Sequence, residues 1–201
     1  MISTTLDIEA SLARVGTYVS LDMLKLPEDL DRYAAVIAAD KPDLLIECGT
    51  AAGDSARWFA GQGLDVITID ISALDFSADD RVTQIAGNSA SPAVAAQAAD
   101  AARGRRVMVS LDSDHSAAHV ATEIRLYGPL VSPGCHLVVE DGLIGWFPAS
   151  MRAAHGNNGD GSPMDAIREL LDGNPEWKRD MTTEQMHPVS LYPAGWWIRR
   201  G

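Results

Sequence analysis

Two acidic clusters, Leu111-Asp112-Ser113-Asp114-His115 and Val139-Glu140-Asp141-Gly142, carry the residues best suited to chemistry in this chain. Carboxylate oxygens gathered in this way suit a hard divalent cation such as magnesium, manganese or calcium. The whole chain holds 28 Asp and Glu against 16 Lys and Arg. Bringing three or four more acids together in it costs free energy unless a cation neutralises them or some take up protons. His115 follows Asp112 by three residues, so both reach one pocket from a short loop, and a neutral imidazole accepts a proton near pH 7. A dication beside such a base activates a hydroxyl group: the metal supplies acidity and the base removes the proton. The plainer alternatives stay open at this point. Asp114 or Ser116 would cap a helix, Asp141-Gly142 would make a turn, and His115 would be a hydrogen-bonded structural histidine. Whether Asp112 or Asp114 is the first ligand is also open.

A second constellation lies upstream, in Ile46-Glu47-Cys48-Gly49-Thr50-Ala51-Ala52-Gly53-Asp54-Ser55, a glycine-bearing turn from a strand into a helix. Such turns bind nucleotides at the carboxyl ends of strands, and Gly49 and Gly53 would let backbone approach a ligand. The pyrophosphate fingerprint needs Gly-x-Gly-x-x-Gly, which is absent, so a phosphate-free nucleoside cofactor, S-adenosylmethionine, suits the turn better. Asp70 stands 21 positions after Gly49, where an acid accepts both hydroxyls of a ribose, and Gly87-Asn88-Ser89 ends the next strand beside the expected adenine. Taken singly, each of these residues is as easily a plain strand end. With this cofactor the reaction would be an in-line methyl transfer from sulfonium to oxygen, for which the protein aligns two atoms and keeps water away.

The elements that must position these residues follow from apolar patterning. Leu44 to Cys48, Val66 to Ile71, Val82 to Ala86, Val107 to Leu111 and His136 to Glu140 are short, nearly continuous apolar runs, as parallel strands covered on both faces must be. Between them Ser55 to Ala60, Pro92 to Arg103 and Ala117 to Tyr127 read as helices, the last with Val120, Ile124 and Tyr127 on one face. Glu28 to Ala39 has helical spacing and stops at Lys41-Pro42-Asp43. The alternation predicts an α/β fold of Rossmann-like type in one domain, residues 1–201, with an N-terminal helical segment over 1–40. Gly142 to Pro163 has loop chemistry and follows the acidic pair, the position of a substrate loop, with Trp146 and Phe147 as its wall or as core. Beyond it, Asp165 to Leu171 reads as a helix. Glu176 to Met186 and Val189 to Arg199 read as an antiparallel C-terminal hairpin turning at His187-Pro188.

A net charge of −12 disfavours nucleic acid and anionic membrane surfaces as partners. The first residues lack a secretory pattern and no window is long enough for a membrane span, so a cytoplasmic protein is expected. Cys48 and Cys135 sit in apolar runs and read as reduced and structural. Residues 1–25 and the terminal hairpin would both serve a homodimer contact, though nothing in their composition requires one.

Glu47 to Ser55, Leu111 to His115 and Val138 to Asp141 together resemble the cephalosporin hydroxylase and sugar O-methyltransferase family, and the resemblance extends from about Pro27 to the C-terminus. The more distant catechol O-methyltransferases share the layout of a metal-binding Asp, a base three positions later and an acidic pair 28 positions beyond the Asp, as Glu140 stands 28 after Asp112. The resemblance implies an S-adenosylmethionine- and Mg2+- (or Mn2+-) dependent O-methyltransferase acting on a small-molecule or oligosaccharide hydroxyl. It implies that Asp112, Glu140 and Asp141 bind the metal and that His115 is the base, where the catechol enzymes have lysine. It further implies that Asp70 takes the ribose, that Glu47, Gly49, Ser55 and Ser89 line the methionine and adenine ends, and that Gly53 and Asp112 complete the cofactor contacts. The family's glycine pair is incomplete here, since Asp54 follows Gly53. Two other readings compete: an oxidoreductase, opposed by the absent third glycine and the lack of a two-His-one-carboxylate set, and a sugar- or partner-binding module without chemistry.

Overall fold

The computed structural model describes residues 6–18, 25–148, 151–152, 157 and 161–201. Its strands are β1 (Leu44–Cys48), β2 (Asp65–Asp70), β3 (Val82–Ala86), β4 (Val107–Leu111), β5 (His136–Val139), β6 (Trp177–Arg179) and β7 (Trp196–Arg199). They form one sheet in the order β3-β2-β1-β4-β5-β7-β6. The first five strands are parallel, while β7 runs antiparallel to both β5 and β6. The helices are α1 (Ile8–Tyr18), α2 (Pro27–Asp40), α3 (Asp54–Gly61), α4 (Pro92–Ala101), α5 (Ala117–Tyr127), α6 (Pro163–Leu170) and the short α7 (Met181–Glu184).

The apolar runs form strands because both faces of the sheet are covered. In β1, Leu44, Ile46 and Cys48 join a core with Val94 and Ala98 of α4, Val120 and Ile124 of α5, and Ile167 of α6. Leu45 points the other way, among Tyr33 and Val36 of α2 and Ala56 and Phe59 of α3. Helix boundaries fall close to the residues expected. Pro27 opens α2, and Lys41 ends it in a left-handed conformation (φ 50°), its N–H donating to the Ile37 carbonyl. In α5 the predicted face of Val120, Ile124 and Tyr127 is buried. The helix expected from Asp165 begins two residues earlier with Pro163 at its first turn, and the Asp165 carboxylate accepts from the Ser162 N–H at 2.9 Å.

The expected antiparallel pairing at the C-terminus is present, but its bounds and its turn need correction. β6 and β7 do pair antiparallel, with Lys178 opposite Ile198, but they are three and four residues long, and α7 and a loop lie between them. Asp180 is the reason. Its carboxylate accepts from the N–H groups of Thr182 (3.0 Å) and Thr183 (3.3 Å), capping a helix where the strand would have continued, so no turn forms at His187-Pro188. The aromatics after Asp141 divide: Phe147 is core beside Leu143 and Ile144, whereas Trp146 is 36% exposed. Part of the expected substrate loop, residues 149–150, 153–156 and 158–160, lies outside the described residues. Among the described residues, no helix is long and apolar enough to cross a membrane. Cys48 and Cys135 are free and buried, as expected.

Strand order reverses between β1 and β4, which pair with Cys48 opposite Leu111. Open α/β sheets bind ligands at such a switch point, beyond the carboxyl ends of the strands.

Candidate active site

A cavity of about 530 Å³ opens at that point, walled among others by Gly49, Asp70, Ser89, Asp112, His115 and His119. Gly49 has φ 95°, and a Cβ there would lie 1.9 Å from the Asp112 carbonyl oxygen. Gly53 has φ 88°, and a Cβ there would meet the Phe76 ring at 2.8 Å. Both glycines are therefore required by the chain's own packing, and only Gly49 also faces the cavity. Asp70 is held rigidly. One carboxylate oxygen accepts from the N–H groups of Thr50 (2.9 Å) and Ala51 (3.3 Å), and the other from Ser72 (2.8 Å), leaving lone pairs toward the cavity. Glu47 and Ser55 stand behind the wall, not on it. Ser55 and Thr68 donate to the two Glu47 oxygens at 2.5 and 2.6 Å, and burial raises the Glu47 pKa to about 7 against the pull of Lys25.

The acidic clusters meet at the same end of the sheet. β4 delivers Asp112 and β5 delivers Glu140 and Asp141, and Asp141 adopts a left-handed conformation (φ 52°, ψ 25°) that turns the chain sharply after the strand. Non-glycine residues pay for that conformation, and such strain gathers where a side chain must be aimed. His115 Nε2 lies 3.5 Å from Asp112 Oδ1 and 3.3 Å from Asp141 Oδ2. One ligand atom from each of Asp112, His115 and Asp141 falls within 4.8 Å of the others, a span that a single cation can bridge. Asp114 also borders the cavity, but its carboxylate accepts from the Ser116 N–H at 2.8 Å in front of α5, and it lies outside the Asp112, His115 and Asp141 group.

Glu140 differs from its neighbour. Its side chain is 1% exposed against 26% for Asp141. Tyr33 Oη and Ser110 Oγ each donate to Oε1 at 2.6 Å, and Lys25 Nζ donates to Oε2 at 2.6 Å. Lys25 also donates to Asp112 Oδ2 at 2.8 Å. Asp112 thus presents Oδ1 to His115 and Oδ2 to Lys25. Burial and the Asp112 charge raise Glu140 to about 8; burial raises Asp141 to about 6 although His115 opposes it. Asp112 moves down, because Lys25 and His115 outweigh its burial. Acids pushed toward protonation in this way are short of positive charge, and an all-oxygen set with one imidazole fits a hard divalent cation.

Several site residues gave little signal in the sequence. Lys25 is an isolated base before α2, and Tyr33 reads as part of an apolar helix face. More legible was a second polar set on the cavity wall. His119 Nε2 lies 3.1 Å from both Ser89 Oγ and Ser113 Oγ and 3.4 Å from Glu123 Oε1, and Ser113 Oγ donates to Glu123 at 2.6 Å. His115, His119 and Glu123 are spaced by one helical turn, a periodicity visible in the sequence.

The family described as Rhamnosyl O-methyltransferase/CmcI matches residues 12–200. This chain belongs to that family. The rhamnosyl O-methyltransferase of Mycobacterium tuberculosis (strain ATCC 25618 / H37Rv) is 34% identical over 196 residues, covering 91% of this chain and 78% of the relative. Its counterpart from Mycobacterium leprae (strain TN) is 30% identical over 196 residues, covering 92% and 83%. Among solved structures, CmcI with Mg and SAM superposes with a TM-score of 0.60 at 19% identity, covering 90% of this chain and 75% of that one. The fold of this family member is therefore that of the S-adenosylmethionine-dependent methyltransferases, a mostly parallel seven-stranded sheet with antiparallel C-terminal strands.

Proposed function

We propose that this chain transfers the methyl group of S-adenosylmethionine to a hydroxyl of a sugar or glycan, with Mg2+ or Mn2+ held by Asp112, Glu140 and Asp141 and with His115 as general base. The observation that carries the proposal is convergence on one cavity: Asp70 at the end of β2 and the Asp112, His115 and Asp141 centre at the ends of β4 and β5. The names of the curated relatives support a sugar acceptor, rhamnosyl first, and the CmcI complex supports the cofactor pair. A cytoplasmic enzyme with a neutral acceptor and no nucleic-acid or membrane partner agrees with the net charge of −12.

In this reading Asp70 accepts the ribose hydroxyls, already oriented by Thr50 and Ser72. Ser89 lies toward the adenine, and Glu47, behind the cavity wall and bonded to Ser55 and Thr68, adds negative charge beneath the ammonium of the methionine end. Asp112, Glu140 and Asp141 would hold the dication, which would supply Lewis acidity to the acceptor hydroxyl. His115 Nε2 takes the hydroxyl proton, and the Asp112 and Asp141 carboxylates beside it stabilise the imidazolium that forms. The oxygen displaces S-adenosylhomocysteine in line: the O–C bond forms as the C–S bond breaks, and the sulfonium charge is discharged. The test is methyl transfer from labelled S-adenosylmethionine to a panel of rhamnosides and mannose-containing oligosaccharides with Mg2+. Turnover lost in chelator and restored by Mg2+ is expected; full turnover in excess chelator would sink the reading.

A second arrangement is favoured by the compactness of the Asp112, His115 and Asp141 atoms, with His115 as a ligand instead of the base. Titrating His115→Ala with Mn2+ separates the two, since loss of a ligand weakens metal binding and loss of a base does not.

A further inference from the structure

We infer that Lys25 is the site's resident counter-cation: it holds Asp112 and Glu140 in the metal-free protein, and a divalent metal must displace it, so lysine and metal compete for the same carboxylate oxygens. The inference rests on the metal-dependent reading above and goes beyond it. Glu140 Oε1 is fully engaged by Tyr33 and Ser110, which leaves Oε2 as the corner that can face a metal, and Lys25 Nζ sits on that corner at 2.6 Å. The same ammonium holds Asp112 Oδ2 at 2.8 Å, while Asp112 Oδ1 faces His115. An ammonium and a dication cannot share these two oxygens without strong repulsion.

The side chain is suited to leaving. Lysine is a compact charge on a flexible stem, with one ammonium to relocate. Arg32, the other fully buried cation in this region, makes the contrast: its guanidinium bonds the carbonyls of Thr183, Glu184, His187 and Val189 as well as Asp29, and is fixed. Among the described residues, Lys25 Nζ is held by the two carboxylates and lies 5.9 Å from the centre of the Tyr192 ring. Its presence keeps converging acids in place without metal and sets metal affinity below what the acids alone would give.

Isothermal titration with Mn2+ tests this without reference to turnover. Lys25→Met should bind Mn2+ ~10-fold more tightly than wild type, because the competitor is gone. Lys25→Arg should bind ~10-fold more weakly, because a guanidinium grips two carboxylates and does not retract. A permanent charge companion would leave the arginine variant unchanged. Wild-type affinity in Lys25→Arg, or no tightening in Lys25→Met, overturns the exchange. If Lys25→Met does not fold in chelator, Lys25→Gln replaces it; folding restored by Mn2+ to more than the wild-type extent supports the exchange. A wild type that binds no Mn2+ removes the metal reading and this inference together, and is distinguishable from either variant result.

Discussion

His115 and His136 each stand between two aspartates, at opposite ends of the same sheet, and the difference between them separates a candidate active site from a structural clamp. His136 begins β5. Its Nδ1 is 2.6 Å and its backbone N 2.9 Å from Asp40 Oδ2, and its Nε2 is 3.2 Å from Asp180. With 3% exposure it ties the end of α2 to the start of α7 and is closed off from solvent. His115 is 19% exposed, lies 3.3 and 3.5 Å from its aspartates and faces the 530 Å³ cavity. Both have the composition of a catalytic or metal-binding group; only one has somewhere for a third participant to go. Close, complete hydrogen bonding marks the clamp, and looser contacts with access mark the site.

The largest effects that would break this contrast are on rate. Asp141→Asn should lower methyl transfer ~10³-fold while leaving the melting temperature equal or higher, because an acid that the structure pushes toward protonation has been neutralised. His115→Ala should lower the rate ~10² to 10⁴-fold with S-adenosylhomocysteine binding retained, the usual worth of a general base. Near-normal turnover in that variant removes His115 from the chemistry. His136→Gln should do the reverse. Leaving Asp40 and Asp180 buried without their cation costs about 3 kcal/mol of stability, seen as a lower urea midpoint, while turnover per folded molecule stays close to wild type. A rate loss without a stability loss would place His136 with His115.

The same clamp predicts a pH signature. Burial disfavours the His136 cation, but the hydrogen bonds to Asp180 and Asp40 outweigh it and raise its pKa, and His136 in turn holds Asp180 well below the usual carboxylate range. A raised histidine stabilises fully below its unfolded pKa of about 6.5 and loses that contribution as pH rises through the folded value. A depressed carboxylate stabilises above about 4 and loses its contribution as pH falls through its own folded value. The stability gap between wild type and His136→Gln should therefore be widest from about pH 4 to 6.5 and narrow toward pH 9. Urea unfolding at three pH values measures it, and a gap that widens with pH contradicts the clamp.

The strands and the two acidic clusters were legible because buried parallel strands must be apolar and their ends must carry the site; β1, β3 and β4 fall on the residues expected. The antiparallel pairing of the C-terminal strands was legible, but their bounds and the turn between them were misread because Asp180, unremarkable in sequence, acts as a helix cap. Two residues that contact Glu140 were illegible for another reason. Lys25 and Tyr33 reach Glu140 across more than a hundred positions of chain, and no local spacing encodes such a contact. Glu140 shows the same limit: the spacing from Asp112 marks it, but only the fold reveals that Tyr33, Ser110 and Lys25 already occupy its oxygens.

His119 is the intermediate case that sharpens the contrast, and its expected effect is the smallest. Like His136 it has charged support, since the Glu123 hydrogen bond raises its pKa against burial. Like His115 it borders the cavity, with Ser89 and Ser113 on its Nε2. If the network orients Ser89 and Ser113 toward the nucleoside, His119→Ala should weaken S-adenosylhomocysteine about 5-fold, the worth of roughly one hydrogen bond, and leave Mn2+ binding unchanged. Ser113→Ala should reproduce a smaller part of that loss, because Ser89 retains the histidine contact. Calorimetric titration with S-adenosylhomocysteine decides. Unchanged affinity with a lowered melting temperature would make His119 a second clamp, and would leave distance to the cavity insufficient, without loose hydrogen bonding, to mark a histidine as part of the site.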